Sequence, residues 1–215
     1  MNARPQRQMR RSLREAFRYR GCPICRVLDK EESDFVATLQ YQTFKEEKVR
    51  QQVVSVNGYC NFHFHQMARM ASPMGMAILT KDLVDAEIRE IEKGSFGPTL
   101  IIDCPICKYA DEREKFHVRE FRDLLSEESF RKEYGTTDGL CRIHLKRVLS
   151  LLQKGELHQF MLASQMMHLK LLRGELETFI SKVKSTRDFK DEKDSWLVAI
   201  EKMAGKRGLK KGKTE

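Results

Sequence analysis

Apolar side chains recur at helical spacing along most of this 215-residue chain. The apolar residues Leu28, Phe35, Val36 and Leu39 lie at helical spacing, and longer amphipathic stretches cover 74–92 and 156–184. No segment shows the two-residue alternation of a half-buried strand, and only the short run Thr99–Ile102 has β-like composition. The pattern predicts an all-α fold.

Capping signals predict where these helices break. Thr43 followed by Glu46 has the form of a capping box, and Ser126 followed by two glutamates is typical of an N-cap. We therefore expect one helix to end near Gln42, another near Leu125, and a second helix to follow each. The second helices are expected to end at pairs that tolerate positive φ, Asn57-Gly58 and Asp138-Gly139.

All six cysteines belong to one pattern that occurs twice. Each copy starts with Cys-Pro-Ile-Cys and ends with Gly-x-Cys-x-x-His. The candidate ligands are Cys22, Cys25, Cys60 and His63 in the first copy, and Cys104, Cys107, Cys141 and His144 in the second. The repeat predicts a basic arm at 1–21, related units at 22–103 and 104–185, and a C-terminal helix and basic tail at 186–215. Trp196, Leu197 and Ile200 are expected to anchor that last helix.

Each copy of the pattern offers three thiolates and one imidazole, which is a common ligand set for structural zinc. Cys-x-x-Cys supplies two ligands from one turn, and Cys-x-x-His places two more on one helix face. A straight helix between the two motifs would separate them by about 50 Å at roughly 1.5 Å per residue. We therefore expect a helical hairpin in each unit, with one zinc ion joining Cys22 and Cys25 to Cys60 and His63, and another joining Cys104 and Cys107 to Cys141 and His144. The long helices 74–92 and 156–184 are expected to pack together.

Other uses of these residues remain open at this point. An iron–sulfur cluster with the same ligands is one alternative, and a redox-active Cys-x-x-Cys dithiol is another. His65 competes with His63 as the first histidine ligand, although His63 matches His144 in register. His117, His158 and His168 are expected to be satisfied or to face solvent, and Glu31-Glu32 is interpreted as a solvated helix face. Four protein ligands leave no open metal position, so the sequence predicts no catalytic residue.

The net charge of +9 is concentrated at the two ends. Residues 1–20 contain seven arginines and one glutamate, and residues 202–215 contain six basic residues and one glutamate. Such arms can bind the phosphates of nucleic acid, or they can simply be solvated. The candidate phosphate-binding residues are Arg4, Arg7, Arg10, Arg11, Arg14, Lys206, Arg207, Lys210, Lys211 and Lys213.

The composition of the chain also bears on its cellular location. No apolar run reaches the ~18–20 residues of a membrane span, and the basic start is not followed by the hydrophobic core of a secretory signal. We therefore expect a cytoplasmic protein with reduced thiols. Methionines cluster after both candidate sites and either fill the core or line an adaptable groove for a partner; they are Met67, Met70, Met74 and Met76 after the first, and Met161, Met166 and Met167 after the second.

The repeated Cys-Pro-x-Cys and Gly-x-Cys-x-x-His elements resemble those of an uncharacterised family of prokaryotic proteins. The resemblance extends from Cys22 to about Val183 and rests on the eight candidate ligands. It implies tandem helical metal-binding units and no known activity. From the sequence we expect a non-enzymatic protein with two structural zinc ions that acts as an adaptor or regulator. The alternative is a nucleic-acid-binding protein. The sequence leaves open which protein partner the chain binds and which oligomeric state it has.

Overall fold

The computed structural model describes residues 11–94, 103–185 and 194–206. These ranges contain helices and no strand, so the all-α prediction is confirmed, and the run Thr99–Ile102 lies outside them. The helices are α1 (11–16), α2 (Pro23–Lys45), α3 (Glu47–Val54), α4 (Asn61–Met70), α5 (Pro73–Glu92), α6 (Pro105–Leu124), α7 (Glu128–Gly135), α8 (Arg142–Ser150), α9 (Glu156–Ser185) and α10 (Ser195–Ala204).

The helix breaks lie close to the predicted positions, but the predicted caps are wrong. Thr43 lies inside α2, where its hydroxyl donates to the carbonyl of Leu39 at 2.7 Å. Ser126 likewise donates back to Asp123 at 2.7 Å. Glu46 and Glu127 precede the next helices instead, without a side-chain cap. Both hydroxyls satisfy the end of the preceding helix rather than the start of the next one.

The turns before the Cys-x-x-His motifs need left-handed backbone, as predicted. Gly139 has φ of 76°, and a Cβ atom there would lie 2.2 Å from Nδ1 of His168. Asn57 and Gly58 have φ of 58° and 87° in the corresponding turn. The positive φ reverses the chain in a few residues and brings each motif to the start of its helix.

The chain forms two compact units, one from Met1–Asp29 with Arg113–Glu215 and the other from Lys30–Glu112. We call them the larger and the smaller unit. Their boundaries lie within α2 and α6, so they do not coincide with the two sequence repeats. The repeat boundaries and the packing of α5 with α9 stay predictions.

The core of the larger unit is aromatic. Phe121, Phe130 and Tyr134 are fully buried, and their rings meet edge to face at 5.2–5.3 Å. Leu13 of α1 and Met161 of α9 are fully buried in the same cluster. The short basic helix α1 is therefore part of the folded unit, because its apolar side packs on this core.

The smaller unit has a smaller core around Val36, Tyr59, Met67 and Leu79. Helices α3 and α4 pack on α5, and Arg50 donates to Asp82 at 2.7 Å between α3 and α5. The stacked rings of Phe35 and Tyr109, 4.0 Å apart, join α2 to α6 within this unit.

The C-terminal helix α10 packs on α8 and α9 through a different face from the predicted one. Trp196, Leu197 and Ile200 are exposed, whereas Val198 and Lys202 are buried. The prediction was based on hydrophobicity alone. In the structure, Lys202 donates to the buried carbonyl of Leu140, so the face of α10 that carries Lys202 is the buried one.

Candidate metal centres

All eight candidate ligands lie at helix N-termini. The first cysteine of each Cys-Pro-x-Cys motif directly precedes a helix, α2 or α6, and the second is the third residue of that helix. Cys60 and Cys141 are the N-caps of α4 and α8, and the histidines are again third residues. Free backbone N–H groups and the positive end of the helix dipole favour thiolate at these positions.

Two groups of four ligands come together. The first cluster consists of Cys22, Cys25, Cys141 and His144, and the second of Cys60, His63, Cys104 and Cys107. Within each group the ligand atoms lie within 4.8 Å of one another. The first cluster lies entirely in the larger unit and the second entirely in the smaller unit.

The two clusters have nearly the same internal distances. In the first, the three sulfurs lie 3.3–3.5 Å from Nδ1 of His144, and the sulfurs of Cys25 and Cys141 are 3.7 Å apart. In the second, the corresponding distances are 3.2–3.5 Å from His63 and 3.7 Å between Cys60 and Cys107. A tetrahedron with Zn–S near 2.3 Å and Zn–N near 2.0 Å has S–S edges of about 3.8 Å and S–N edges of about 3.5 Å. The ligand atoms thus have the spacing that one tetrahedral ion requires.

The predicted pairing of the motifs is wrong. Each Cys-x-x-Cys meets the Cys-x-x-His of the other repeat, not of its own. Helix α2 has 23 residues and spans about 34 Å, whereas α3 has eight residues and returns only about 12 Å. Helices α6 and α7, with 20 and eight residues, repeat this inequality. Because the residues after α3 and α7 form tight turns rather than an extended segment, the chain stops short of the start of its own long helix.

Each histidine faces a buried carboxylate that the sequence analysis missed. Nε2 of His144 donates to Glu114 at 3.1 Å, and Nε2 of His63 lies 3.8 Å from Glu32. Glu32 is only 6% exposed, so its interpretation as part of a solvated face is wrong. A carboxylate behind a ligating histidine orients the ring and makes it a better donor to metal. The signal was present, because Glu32 and Glu114 both follow the second cysteine of their motif by seven residues.

The residue three positions after each histidine completes this arrangement. Arg147 forms an ion pair with Glu114, and Gln66 donates to Glu32 at 3.5 Å. The first carboxylate is therefore neutralised by a cation, whereas the second receives an amide.

The surroundings of both histidines favour the positively charged form of the ring. Burial alone would lower the pKa of His63, but hydrogen bonds with Cys104 and Glu32 raise that pKa to about 10. Burial alone would lower the pKa of His144 as well, and hydrogen bonds with Cys141 and Cys22 raise it well above its usual value. The sulfurs and the carboxylate around each ring thus favour positive charge at the centre of each cluster, which is the charge that a metal cation would supply.

Further contacts in the larger unit position the first cluster. The carbonyl of Leu140 accepts from Gln165 at 2.9 Å and from Lys202 at 3.2 Å, and its amide donates to the hydroxyl of Tyr134. Burial lowers the pKa of Lys202 to about 8. Among the described residues, Lys202 is the only buried lysine, and the nearby Cys22 and Cys141 partly oppose the effect of burial on its pKa.

The other sequence candidates are not brought into either cluster. His65 is exposed, His117 and His168 are buried elsewhere, and His158 is half-buried. Of the basic residues, Arg14 pairs with Glu127 and Glu133, Arg11 with Glu15, and Lys206 with Asp29. The remaining basic candidates, Arg4, Arg7, Arg10, Arg207, Lys210, Lys211 and Lys213, lie outside the described residues.

In the part of the chain that the structure describes, no helix combines the length and hydrophobicity needed to cross a bilayer. Residues 12–100 match a family of unknown function, DUF6062, which agrees with the resemblance to an uncharacterised family. The matched segment contains one half of each cluster, Cys22 with Cys25 and Cys60 with His63. No curated protein matches the chain, and no solved structure matches it.

Proposed function

We propose that the chain is a zinc-binding protein that holds one structural zinc ion in each cluster and acts without catalysis, as an adaptor or regulator. The observation that carries this proposal is the spacing of the ligand atoms, which matches the edges of a zinc tetrahedron in both clusters. Three thiolates and one imidazole are soft enough to favour zinc over magnesium or calcium.

The same spacing argues against the two redox alternatives. An iron–sulfur cluster distributes its ligands over several iron atoms, so the ligand atoms stand further apart than around one ion. A redox dithiol needs only the two sulfurs of its Cys-x-x-Cys motif. Here each pair converges with a third cysteine and a histidine from a distant part of the chain.

A structural role follows from the coordination number. Four protein ligands fill a tetrahedral zinc ion and leave no position for water or substrate. Binding energy on the order of 10 kcal/mol is available to folding, because the ligands come from segments that only the folded chain brings together. Reduced cysteines at these distances suit a reducing, cytoplasmic environment.

The nucleic-acid alternative gains no support from the described arms. Arg14 and Lys206 are bound to carboxylates of their own unit, which reduces their capacity to neutralise phosphate. These pairs attach both arms to the larger unit.

Metal analysis of protein purified without oxygen tests the proposal. We expect two zinc ions per chain, a colourless solution, and a tetrahedral thiolate-rich absorption spectrum after replacement with Co²⁺. Cys141→Ala and Cys107→Ala should each retain one ion, and His65→Ala should retain both. Iron with acid-labile sulfide, or a folded protein without metal, would overturn it.

A further inference from the structure

Helix α9 has a row of exposed apolar side chains that its own unit does not cover. Five of its side chains, Leu162, Met166, Leu169, Ile180 and Val183, are 36–55% exposed. The buried face of the helix contains Met161, Gln165, His168 and Leu172, about a quarter turn away at 100° per residue. Apolar side chains exposed together in this way are typical of an interaction surface.

The spacing of the stripe is that of a coiled coil. Leu162, Met166, Leu169, Arg173, Leu176, Ile180 and Val183 follow one another at alternating intervals of four and three residues. This seven-residue period keeps one seam of the helix against a partner helix. We call these seven residues the α9 seam. Its centre is polar, because Arg173 occupies a position that is otherwise apolar.

The charges beside the seam are self-complementary. Lys170 and Glu177 are exposed on the same flank, one heptad apart, and Glu177 also forms an exposed ion pair with Arg173 of its own helix at 3.5 Å. When two copies of α9 run antiparallel with Arg173 against Leu176 of the partner subunit, Lys170 of each copy lies beside Glu177 of the other. The other layers then pair Met166 with Val183 and Leu169 with Ile180. All contacts occur twice, as a twofold interface requires.

Other arrangements of two copies lose this complementarity. If one helix of the antiparallel pair is shifted by one heptad, Glu177 lies beside Glu177 of the partner subunit, or Lys170 lies beside the partner's Lys170. A parallel pair places Arg173 against Arg173, and its opposite flank is the side that α9 buries in its own unit, where Gln165 and Leu172 offer no charge to pair with Lys170 or Glu177. The charge pattern thus selects one orientation and one register.

We propose that the α9 seam binds a second copy of this chain in an antiparallel coiled coil centred between Arg173 and Leu176. The dimer does not depend on the metal, so it stands or fails independently of the zinc proposal. Burial of the exposed stripe provides the attraction, and the two Lys170–Glu177 pairs set the register.

Sedimentation equilibrium over a wide range of protein concentration tests the proposal. We expect a mass twice the 25.2 kDa of the chain. The double variant Leu169→Glu with Ile180→Glu should weaken dimerisation by roughly a hundredfold, because each charge must be desolvated in the seam. Leu171→Glu is the matched control, since Leu171 is 61% exposed on the other side of α9, and it should leave the dimer intact.

A charge exchange tests the orientation. Lys170→Glu and Glu177→Lys should each weaken the dimer, and the two substitutions together should restore it. Circular dichroism and zinc content should stay as in the unchanged protein throughout. A monomer at every concentration, a dimer insensitive to the seam variants, or a double exchange without restoration would each overturn the antiparallel pairing.

Discussion

The first and the second cluster have the same ligands at the same helix positions, but different surroundings. In the first, all four ligands are buried, and Cys22, Cys25 and Cys141 are at most 1% exposed. In the second, Cys104 and His63 are buried, whereas Cys60 and Cys107 are half-exposed. Repeated motifs therefore specify the spacing of the candidate ligand atoms, while the neighbouring helices decide how far solvent reaches them.

The carboxylates that face the two histidines also differ, and the first cluster again has the closer contacts. His144 has a carboxylate at hydrogen-bond distance that is itself held by Arg147, whereas Glu32 stands further from His63 and has a weaker amide contact. Lys202 adds a positive charge beside the first cluster. We infer that the first cluster is the more permanent and the second the more exchangeable.

Loss of one ligand in each cluster should give the largest difference. Cys141→Ala should destabilise the larger unit by on the order of 5 kcal/mol or more, and Cys107→Ala should cost less in the smaller unit. A bound ion would crosslink residues 116 apart in the first cluster and 47 apart in the second, which alone favours the first by about 0.8 kcal/mol of loop entropy. Denaturant unfolding of both variants checks this, and equal losses would contradict it.

Removal of metal by a chromogenic chelator should occur in two phases. The faster phase, by about tenfold or more, should belong to the second cluster, because its half-exposed sulfurs need only local opening. Cys107→Ala should lack the fast phase and Cys141→Ala the slow one. A single phase in the unchanged protein would remove the distinction between the clusters.

The carboxylates should contribute unequally to metal affinity. Glu114→Gln should weaken the first cluster by about 10–100-fold, and Glu32→Gln should weaken the second by less, because its carboxylate lies further from the ring. Competition with a chelator of known affinity measures both. The exposed residues Glu112 and Asp34 give matched controls, Glu112→Gln and Asp34→Asn, which should leave affinity unchanged.

Acid should release metal from the second cluster first, which is the smallest expected effect. Burial raises the pKa of Cys104, but the hydrogen bond with His63 outweighs it and lowers that pKa from 9.0 to about 6. The thiolate form therefore stabilises the folded chain fully above pH 9, and this contribution is lost as the pH falls through 6.

Hydrogen bonds with Cys22 and Cys25 lower the pKa of Cys141 well below its usual range. We expect the release midpoints to differ by about one pH unit, or ~1.4 kcal/mol. Zinc release during a pH titration of Cys107→Ala and Cys141→Ala measures each midpoint separately. A first cluster that empties at the higher pH would reverse the comparison.

Local features could be predicted from the sequence because they depend on near neighbours. The periods of α5 and α9 and the turns at Gly58 and Gly139 involve residues within one or two helical turns of one another. The eight residues of the two clusters were recognisable for the same reason, since each motif is complete within a few residues.

Contacts between distant segments could not be predicted in this way. The buried state of Glu32 and the exposed state of Trp196 depend on which helix packs against which face. Hydrophobicity predicted the wrong buried face of α10. The face that carries Lys202 is buried instead, because this lysine donates to the carbonyl of Leu140.

The amino-acid sequence by itself determined that the chain is helical, that it carries the same motif twice, and which eight side chains converge. Only the tertiary structure decided that the motifs pair across the repeats. The reason is the ratio of helix lengths, since an eight-residue helix cannot retrace one of 20 or 23 residues. Each Cys-x-x-His therefore stops short of its own partner and meets the start of the other long helix.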